Sequence, residues 1–584
     1  MEMIEYNNPF EYEAATKLSY DKIVDFYIED FNYSRFIHSR RNVILVGERG
    51  TGKSMALLFN SFPVMQIKAE RAKEELGFDV ICVYIPCNTP LTHRGEYQLL
   101  GEYEASVVSE HFLVLAAMYA IADTLAKIKG LLEGIDDNQL KKQIMFALDL
   151  ELPDSEPVFE GLKQSIQREM TRSQRVLNSR AKDAFYDAAI SFSSGVLPLL
   201  NTLRKVKRLE NSHFSLMFDD AHDLNPHQVR ALNSWIAYRD NSLFSFKIAT
   251  AKVDQPTLIT TSGGTVLEGH DFTLVDMEQA YQSQYTDFGR LARDVVGRRL
   301  INLNIAKTPE QFFPVNPQFE KDLAECKERI KVKAREKYPN GNQKQIEDYI
   351  YKYTRAEYFR SRSPRANLPQ YSGFDTLVHL STGIIRNLLE PCFWMYDAVY
   401  SRRRSAGEES PNIQEIPYSI QNDIIIDRSR RKWTLIREGL DSSIEGCSRE
   451  QREQIYKLFD NLAILFRERL HKHESEPRAI VFTISEMDFD HRRELEELLR
   501  IARKAQVLYT RSGSAKDHGR REIYYVPNRI LWPDRGLDPH GQHARVSIKA
   551  RHLWAAAESD TRIPMTTTEE TGEREQIDLQ GVLF

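Results

Sequence analysis

The chain has 584 residues, too many for one hydrophobic core, so several domains are expected. With 28% charged and 41% hydrophobic residues it has the composition of an ordinary soluble globular protein. A net charge of −5 excludes a whole-chain electrostatic case for nucleic acid or membrane and leaves only local basic patches.

The first residues, "MEMIEYNNPFEYEAATKL", lack a basic region followed by an apolar one, so no secretory signal is expected. No uninterrupted apolar run reaches the roughly 18 residues of a spanning helix, and no membrane partner is expected. The five cysteines (Cys82, Cys87, Cys326, Cys392 and Cys447) are odd in number and scattered. That spacing fits neither a disulfide framework nor a zinc site, and a cytoplasmic location is the simplest expectation.

Residues 1–40 are polar and aromatic with short helical patterns such as "YDKIVDFYIEDF". Next, "NVILVGERGTGKSMALLF" reads as strand, glycine-rich loop and helix, and "DVICVYIP" reads as a second buried strand. Residues 100–207 repeat apolar positions three and four apart and read as almost wholly helical. Strands return at "FSLMF", "SFKIATA" and "DFTLVDM", with the helix "NPHQVRALNSWIAYR" between the first two. Apolar strands alternating with helices predict a mostly parallel sheet covered on both faces, with the long helical stretch inserted between its second and third strands. Residues 286–400 are helical and more charged, and "SRRRSAGEESPN" reads as a domain boundary. Beyond it come two amphipathic helices, "EQIYKLFDNLAILFRERL" and "DFDHRRELEELLRIARKA". The strands "QVLYTR" and "REIYYVPNRI" then flank the turn "SGSAKDHG". Helices followed by a ribbon with a basic tip predict a winged helix. The Thr- and Glu-rich tail from about Glu558 is expected to be disordered, although its last residues could dock as a short peptide.

The strongest chemical signal is Gly47-Glu48-Arg49-Gly50-Thr51-Gly52-Lys53-Ser54, a full match to G-x-x-x-x-G-K-[ST]. Glycines at 47, 50 and 52 let backbone N–H groups, Thr51 included, converge on phosphate oxygens at a helix N-terminus. Lys53 is placed to reach the β- and γ-phosphates of ATP, and Ser54 to ligate Mg²⁺. Alone, "FSLMFDD" is as consistent with a strand meeting a capping turn. Below a phosphate loop it reads as a Walker B segment, in which Asp219 holds Mg²⁺ and Asp220 is the catalytic acid that polarises the attacking water. Thr250 ends the next strand, where a hydroxyl either contacts the γ-phosphate or is ordinary strand-end chemistry. Asn88, after the second strand, either contacts Asp220 or simply sits in a turn. In "HLSTGIIRNLLE" a turn at Gly383 precedes Arg386, whose guanidinium fork suits a γ-phosphate; the alternative is an exposed helix arginine.

These motifs, in this order, resemble an AAA+ ATPase of the initiator branch, similar to origin-recognition and archaeal replication-initiator proteins, and also the related STAND switch ATPases. The resemblance implies an α/β P-loop NTPase core with a large helical insertion, a helical lid and a C-terminal winged helix. The expected segments are 1–40, an N-terminal helical part; 41–300, the core with its insertion at about 100–207; 301–400, the lid; 413–557, the winged helix; and 558–584, a disordered tail. It also implies ATP and Mg²⁺ as ligands, with ATP hydrolysis through Lys53, Asp220, Thr250 and Arg386. The implied partners are DNA through the winged helix, an effector protein and further copies of the chain. Single-chain bacterial ATPases of this layout are associated with mobile-element and antiphage defence loci.

The sequence departs from that pattern in two places. The insertion is larger than the family needs, as a partner platform or as a brace within the core. No arginine follows Thr250 before the next strand, which leaves Arg239, Arg298 and Arg299 as substitutes for a finger reaching a neighbour's nucleotide. Arg511, Lys516, Arg520 and Arg521 form the basic wing, placed to contact phosphates or merely to be solvated. The histidines of "GLDPHGQHARVSIKARHLW" lack metal-site spacing and are expected at the surface or in caps. A nucleotide-holding scaffold with little hydrolysis is the alternative function. A small-molecule kinase shares the loop, but the lid arginine and winged helix argue against it.

Overall fold

The computed structural model describes residues 8–12, 14–29, 33–89, 100–178, 189–238, 242–253, 257–278, 285–339, 341–361, 371–408, 412–472, 479–514, 521–540 and 544–565. The chain divides into two compact units: Tyr6–Ala306 with Ile384–Phe393, and Lys307–Gly383 with Trp394–Phe584 and the first five residues.

In the N-terminal unit, helix α1 (Tyr20–Phe26) precedes strand β1 (Val43–Val46), and α2 (Lys53–Asn60) and α3 (Phe62–Ala72) lead to β2 (Val80–Pro86). Four helices follow: α4 (Glu102–Ala126), α5 (Asp137–Leu148), α6 (Val158–Leu177) and α7 (Val196–Leu203). Then come β3 (His213–Asp219), α8 (Pro226–Ile236), β4 (Phe244–Thr250), β5 (Thr273–Asp276) and α9 (Tyr285–Ile301). The five strands are all parallel in the order β2-β3-β4-β1-β5, the α/β architecture expected from the apolar runs. Every residue of β1, β3 and β4 is buried, which requires cover on both faces.

The period of two along each strand sorts side chains between two cores. Phe214, Leu216 and Phe218 of β3 join Phe246 and Ile248 of β4 on the face covered by Leu113, Ile121 and Leu162 of the inserted helices. Met217 and Ala249 face the other way, toward Leu57 and Phe59 of α2 and Ile23 of α1. The insertion is therefore a brace that forms one wall of the sheet. Helix α4 is long and apolar enough, by length and composition, to cross a membrane, but 72% of its most apolar window is buried within the protein. Cys82 and Cys87 are both buried, as expected of small hydrophobes.

In the C-terminal unit, α10 (Pro317–Lys337) packs against α11 (Gln343–Ser361), followed by α12 (Phe374–Leu380). Helix α13 (Ile385–Ser405) contributes its later turns to this unit, and α14 (Tyr418–Thr434) and α15 (Arg449–Lys472) follow. Beyond them, β6 (Ala479–Ser485), α16 (Arg492–Lys504), β7 (Leu508–Ser514), β8 (Arg521–Pro527), β9 (Ala544–Lys549) and α17 (Ala550–Ser559) complete the unit. The four strands lie in the order β7-β8-β6-β9, with β7–β8 and β8–β6 antiparallel and β6–β9 parallel. Helix α16 buries Leu495, Leu498, Leu499 and Ala502, the three-and-four spacing that marks it as amphipathic in the sequence. The β7–β8 hairpin and the helix before it match the sequence expectation, whereas β6 and β9 were not foreseen. Arg239, Lys516, Arg520 and the tail from 566 lie outside the described residues, and the side chain of Arg521 is likewise not described.

Candidate nucleotide site

The loop from Gly47 to Ser54 leaves β1 and enters α2, and its shape needs its glycines. Gly50 and Gly52 have φ of +88° and +98°, the left-handed region that favours glycine. A Cβ at Gly47 would stand 2.8 Å from Thr51 Oγ1, and one at Gly50 would stand 2.6 Å from the Arg386 Cβ. A Cβ at Gly52 would meet nothing within 4 Å, so this face of the loop opens onto the cleft. The cleft has a volume of about 390 Å³. Gly50 to Ser54, Asn88, Asp220 and Arg386 line it, together with Glu11, Tyr12, Leu18, Phe26, Tyr27 and Tyr33 from the N-terminal segment. A polar end of loop amides and charges and an apolar, aromatic end fit a nucleoside phosphate in chemistry and size.

Lys53 is 5% exposed, and its Nζ donates to Gly47 O at 2.7 Å and to Glu48 O at 3.0 Å. Burial pulls its pKa below the ordinary lysine value against the opposing pull of Asp219 and Asp220. Asp219 is 1% exposed; burial, then the charge of Asp220, pushes its carboxyl up to about 6. The Ser54 hydroxyl and Tyr84 Oη donate to this carboxylate, Tyr84 to Oδ2 at 2.8 Å. Hard oxygen donors from Ser54 and Asp219, raised in energy by burial, fit Mg²⁺.

Asp220 takes a left-handed backbone, φ 53°, at the end of β3, and Asn88 Nδ2 donates to its Oδ2 at 3.2 Å. Of the two readings of Asn88, the structure therefore gives the contact with Asp220. Arg386 opens α13; its backbone N donates to Gly50 O at 3.2 Å. Burial and the neighbouring Arg49 lower the Arg386 pKa, and Asp220 opposes them.

Thr250 is not among the residues that line this cleft. It stands across from Val46 in the β1–β4 register, but it shares strand parity with Phe246 and Ile248. Its side chain lines a second cavity of about 160 Å³ with Ile44, Ile248 and Phe272, and its buried Oγ1 has no hydrogen-bond partner among the described residues. The same alternation was legible in "FSFKIAT" and could have assigned Thr250 to that face. Two of the three arginines considered as fingers, Arg298 and Arg299, are also engaged within the chain. Arg298 Nη1 donates to Tyr27 O at 2.7 Å, and Arg299 Nη1 donates to Pro9 O at 2.6 Å and Glu11 O at 2.9 Å. Both arginines anchor the N-terminal segment that lines the cleft.

Other residues here escaped the sequence reading. Glu278 Oε1 accepts from the Glu48 N–H at 2.6 Å, and its Oε2 pairs with Lys252 at 3.2 Å, which ties the loop to the end of β5. Arg49 Nη2 lies 3.1 Å from His222 Nε2 at the cleft rim. The Glu48–Glu278, Arg49–His222 and Arg299–Pro9 contacts join residues 230, 173 and 290 apart, and no local pattern announces them.

A parallel sheet with this strand order, a phosphate loop at the end of β1 and an aspartate pair at the end of β3, two strands away, define a P-loop NTPase of the AAA+ type. The sequence matches the ORC-CDC6-like family over residues 8–548, nearly its whole length, and the chain belongs to that family of initiator-type AAA+ ATPases. Among solved structures it is similar to Cdc6p from Pyrobaculum aerophilum, at 11% identity over 94% of this chain and 97% of that one. The TM-score of 0.26 transfers no residue correspondence. No curated protein matches the chain.

Proposed function

We propose that this protein is an ATP-binding switch that hydrolyses ATP slowly and whose ATP-bound form assembles with itself, with DNA or with an effector protein. The observation that carries this reading is the meeting of Lys53, Asp220, Asn88 and Arg386 at one cleft, with Ser54 and Asp219 in contact at its base. The amides of Gly50 to Ser54 and the Lys53 ammonium bind the phosphates, and Lys53 leaves its two carbonyl partners to do so. Ser54 and Asp219 hold Mg²⁺, which when bound neutralises charge on the phosphate oxygens. Asp220, oriented by Asn88, accepts hydrogen bonds from the attacking water, and Arg386 lays its guanidinium on the terminal phosphate. The hairpin and helix around β7 and β8 are the winged helix of this reading, and a role in antiphage defence is the biological context it suggests. Lys53→Ala tests the reading: ATP binding and turnover are expected to vanish, and unchanged turnover would refute it.

A second reading, a scaffold with structural nucleotide, is favoured by the inward engagement of Arg298 and Arg299, which leaves neither to reach a neighbour's nucleotide. Turnover of several ATP per second by the purified chain would exclude it.

A further inference from the structure

Two histidines and a carboxylate converge in the C-terminal unit, and none of them lines the nucleotide cleft. Asp375 and His379 lie one turn apart on α12, and His540 arrives on the segment after Gly536. One ligand atom from each of the three lies within 4.8 Å of the other two. His540 Nε2 is 3.1 Å from Asp375 Oδ2, and His379 Nε2 is 3.8 Å from Asp375 Oδ1. Tetrahedral ligands held at about 2.0–2.1 Å from a metal stand roughly 3.3 Å apart, so small side-chain rotations suffice to close this set.

The arrangement behind His540 is that of a supported ligand. Its Nδ1 sits 2.9 Å from Asp538 Oδ1, which turns Nε2 toward Asp375. Asp538 is fully buried and is clamped by Arg355 through Nε at 3.1 Å and Nη2 at 3.0 Å. Tyr371 Oη donates to Leu537 O at 3.0 Å and fixes the segment that carries both groups. His540 is thus 5% exposed and not the surface or capping histidine expected from its spacing. Asp375, in contrast, is 73% exposed on its side chain, so a metal here would keep a water-accessible position.

We propose that Asp375, His379 and His540 form a site for a divalent transition metal of the Zn²⁺ class that clasps α12 to the segment after Gly536. Two imidazoles and one carboxylate select zinc-like ions over Mg²⁺ or Ca²⁺. Arg529 Nη1 stands 3.3 Å from His379 Nδ1, and its positive charge weakens the hold on any cation. The competing arrangement is a metal-free ion pair in which His540 bridges Asp375 and Asp538.

The test uses the full chain stripped with chelator and carrying Asp219→Asn, so that the nucleotide site does not compete for metal. Co²⁺ is titrated and its visible d–d absorption followed, then Zn²⁺ is added as competitor. One Co²⁺ per chain with four- or five-coordinate bands, displaced by Zn²⁺, is expected. Asp375→Ala and His379→Ala should each weaken binding at least about tenfold, of the order seen when support of a metal ligand is lost. Asp375 is exposed, so its variant tests the site without threatening the fold. Absence of bands, or bands of equal affinity in both variants, would overturn the site and leave the ion pair.

Discussion

Asp219 and Asp220 are neighbours with different surroundings, and the difference follows from strand parity. Asp219 continues the row of Ser215 and Met217 toward α2, where Tyr84 and Ser54 meet it. Asp220 falls just past the strand end in a left-handed backbone, faces the cleft and is met by Asn88. In the proposed function Asp220 acts on water, whereas Asp219 acts on a cation. Asp220→Asn keeps the size and removes the proton acceptor. Turnover is expected to fall by at least about 10²-fold while ATP affinity holds, as read by single-turnover kinetics beside equilibrium nucleotide binding. A parallel loss of affinity would mean that Asp220 is a ligand to the cation instead. The eight-residue loop and the aspartate pair were legible because each is local and each sits at the end of an apolar run. Arg386 was legible only as one arginine near a helix start; its seat on Gly50 depends on a contact between residues 336 apart.

At the scale of elements, the start of α13 and the phosphate loop fit each other closely enough to be tested by one methyl group. Gly50→Ala adds a Cβ 2.6 Å from the Arg386 Cβ and 3.2 Å from Ile384 Cγ2, at a φ that costs an alanine about 1–2 kcal/mol. The variant is expected to lose that stability in urea unfolding and to bind ATP more weakly, because Arg386 is pushed off the loop. The helical insertion offers a second test. His111 on α4 is buried between Ser173 Oγ, 2.9 Å from Nε2, and the Ile190 N–H, which donates to Nδ1 at 2.9 Å. Burial lowers its pKa from 6.5 to about 4, so the folded state holds it neutral. Its stabilisation is complete above pH 6.5 and is lost as pH falls toward 4, because the unfolded chain takes the proton first. The loss reaches roughly 2 kcal/mol by pH 5. His111→Asn should flatten that part of the pH dependence in unfolding measured at pH 7 and pH 5; an unchanged slope would place the acid sensitivity elsewhere.

Across the whole molecule, the parallel sheet and the place of the insertion follow from where apolar runs fall, whereas the strand order and the choice of brace over partner platform come from the packing. Nor do the His379–His540 cluster and the anchoring of Arg299 follow from those runs, because they join segments brought together only by folding. Of the four cations that the sequence places in a basic wing, Arg511 has its Nη2 donating to Thr382 O within its own unit, so the proposed DNA contact rests on Lys516, Arg520 and Arg521. Helix α16, which precedes the hairpin, carries five cations and three carboxylates, with Arg492 paired to Glu496 at 2.8 Å and Arg500 to Glu497 at 2.6 Å. A chain of net charge −5 gains nothing from its long-range field, so the proposed hold on duplex DNA is assigned to the local patch of Lys516, Arg520 and Arg521. Three phosphate contacts give a log-log salt dependence with a slope of about −3, and base readout adds nothing to it. Binding of the ATP-loaded Asp220→Asn chain to duplexes of unrelated sequence should therefore show that slope, with little preference among sequences. Replacing Lys516, Arg520 and Arg521 by alanine should abolish it, whereas Arg511→Ala should alter stability more than affinity. A slope near −6 or steeper, or binding that survives the triple replacement, would move the DNA contact away from the wing and onto another face of the protein.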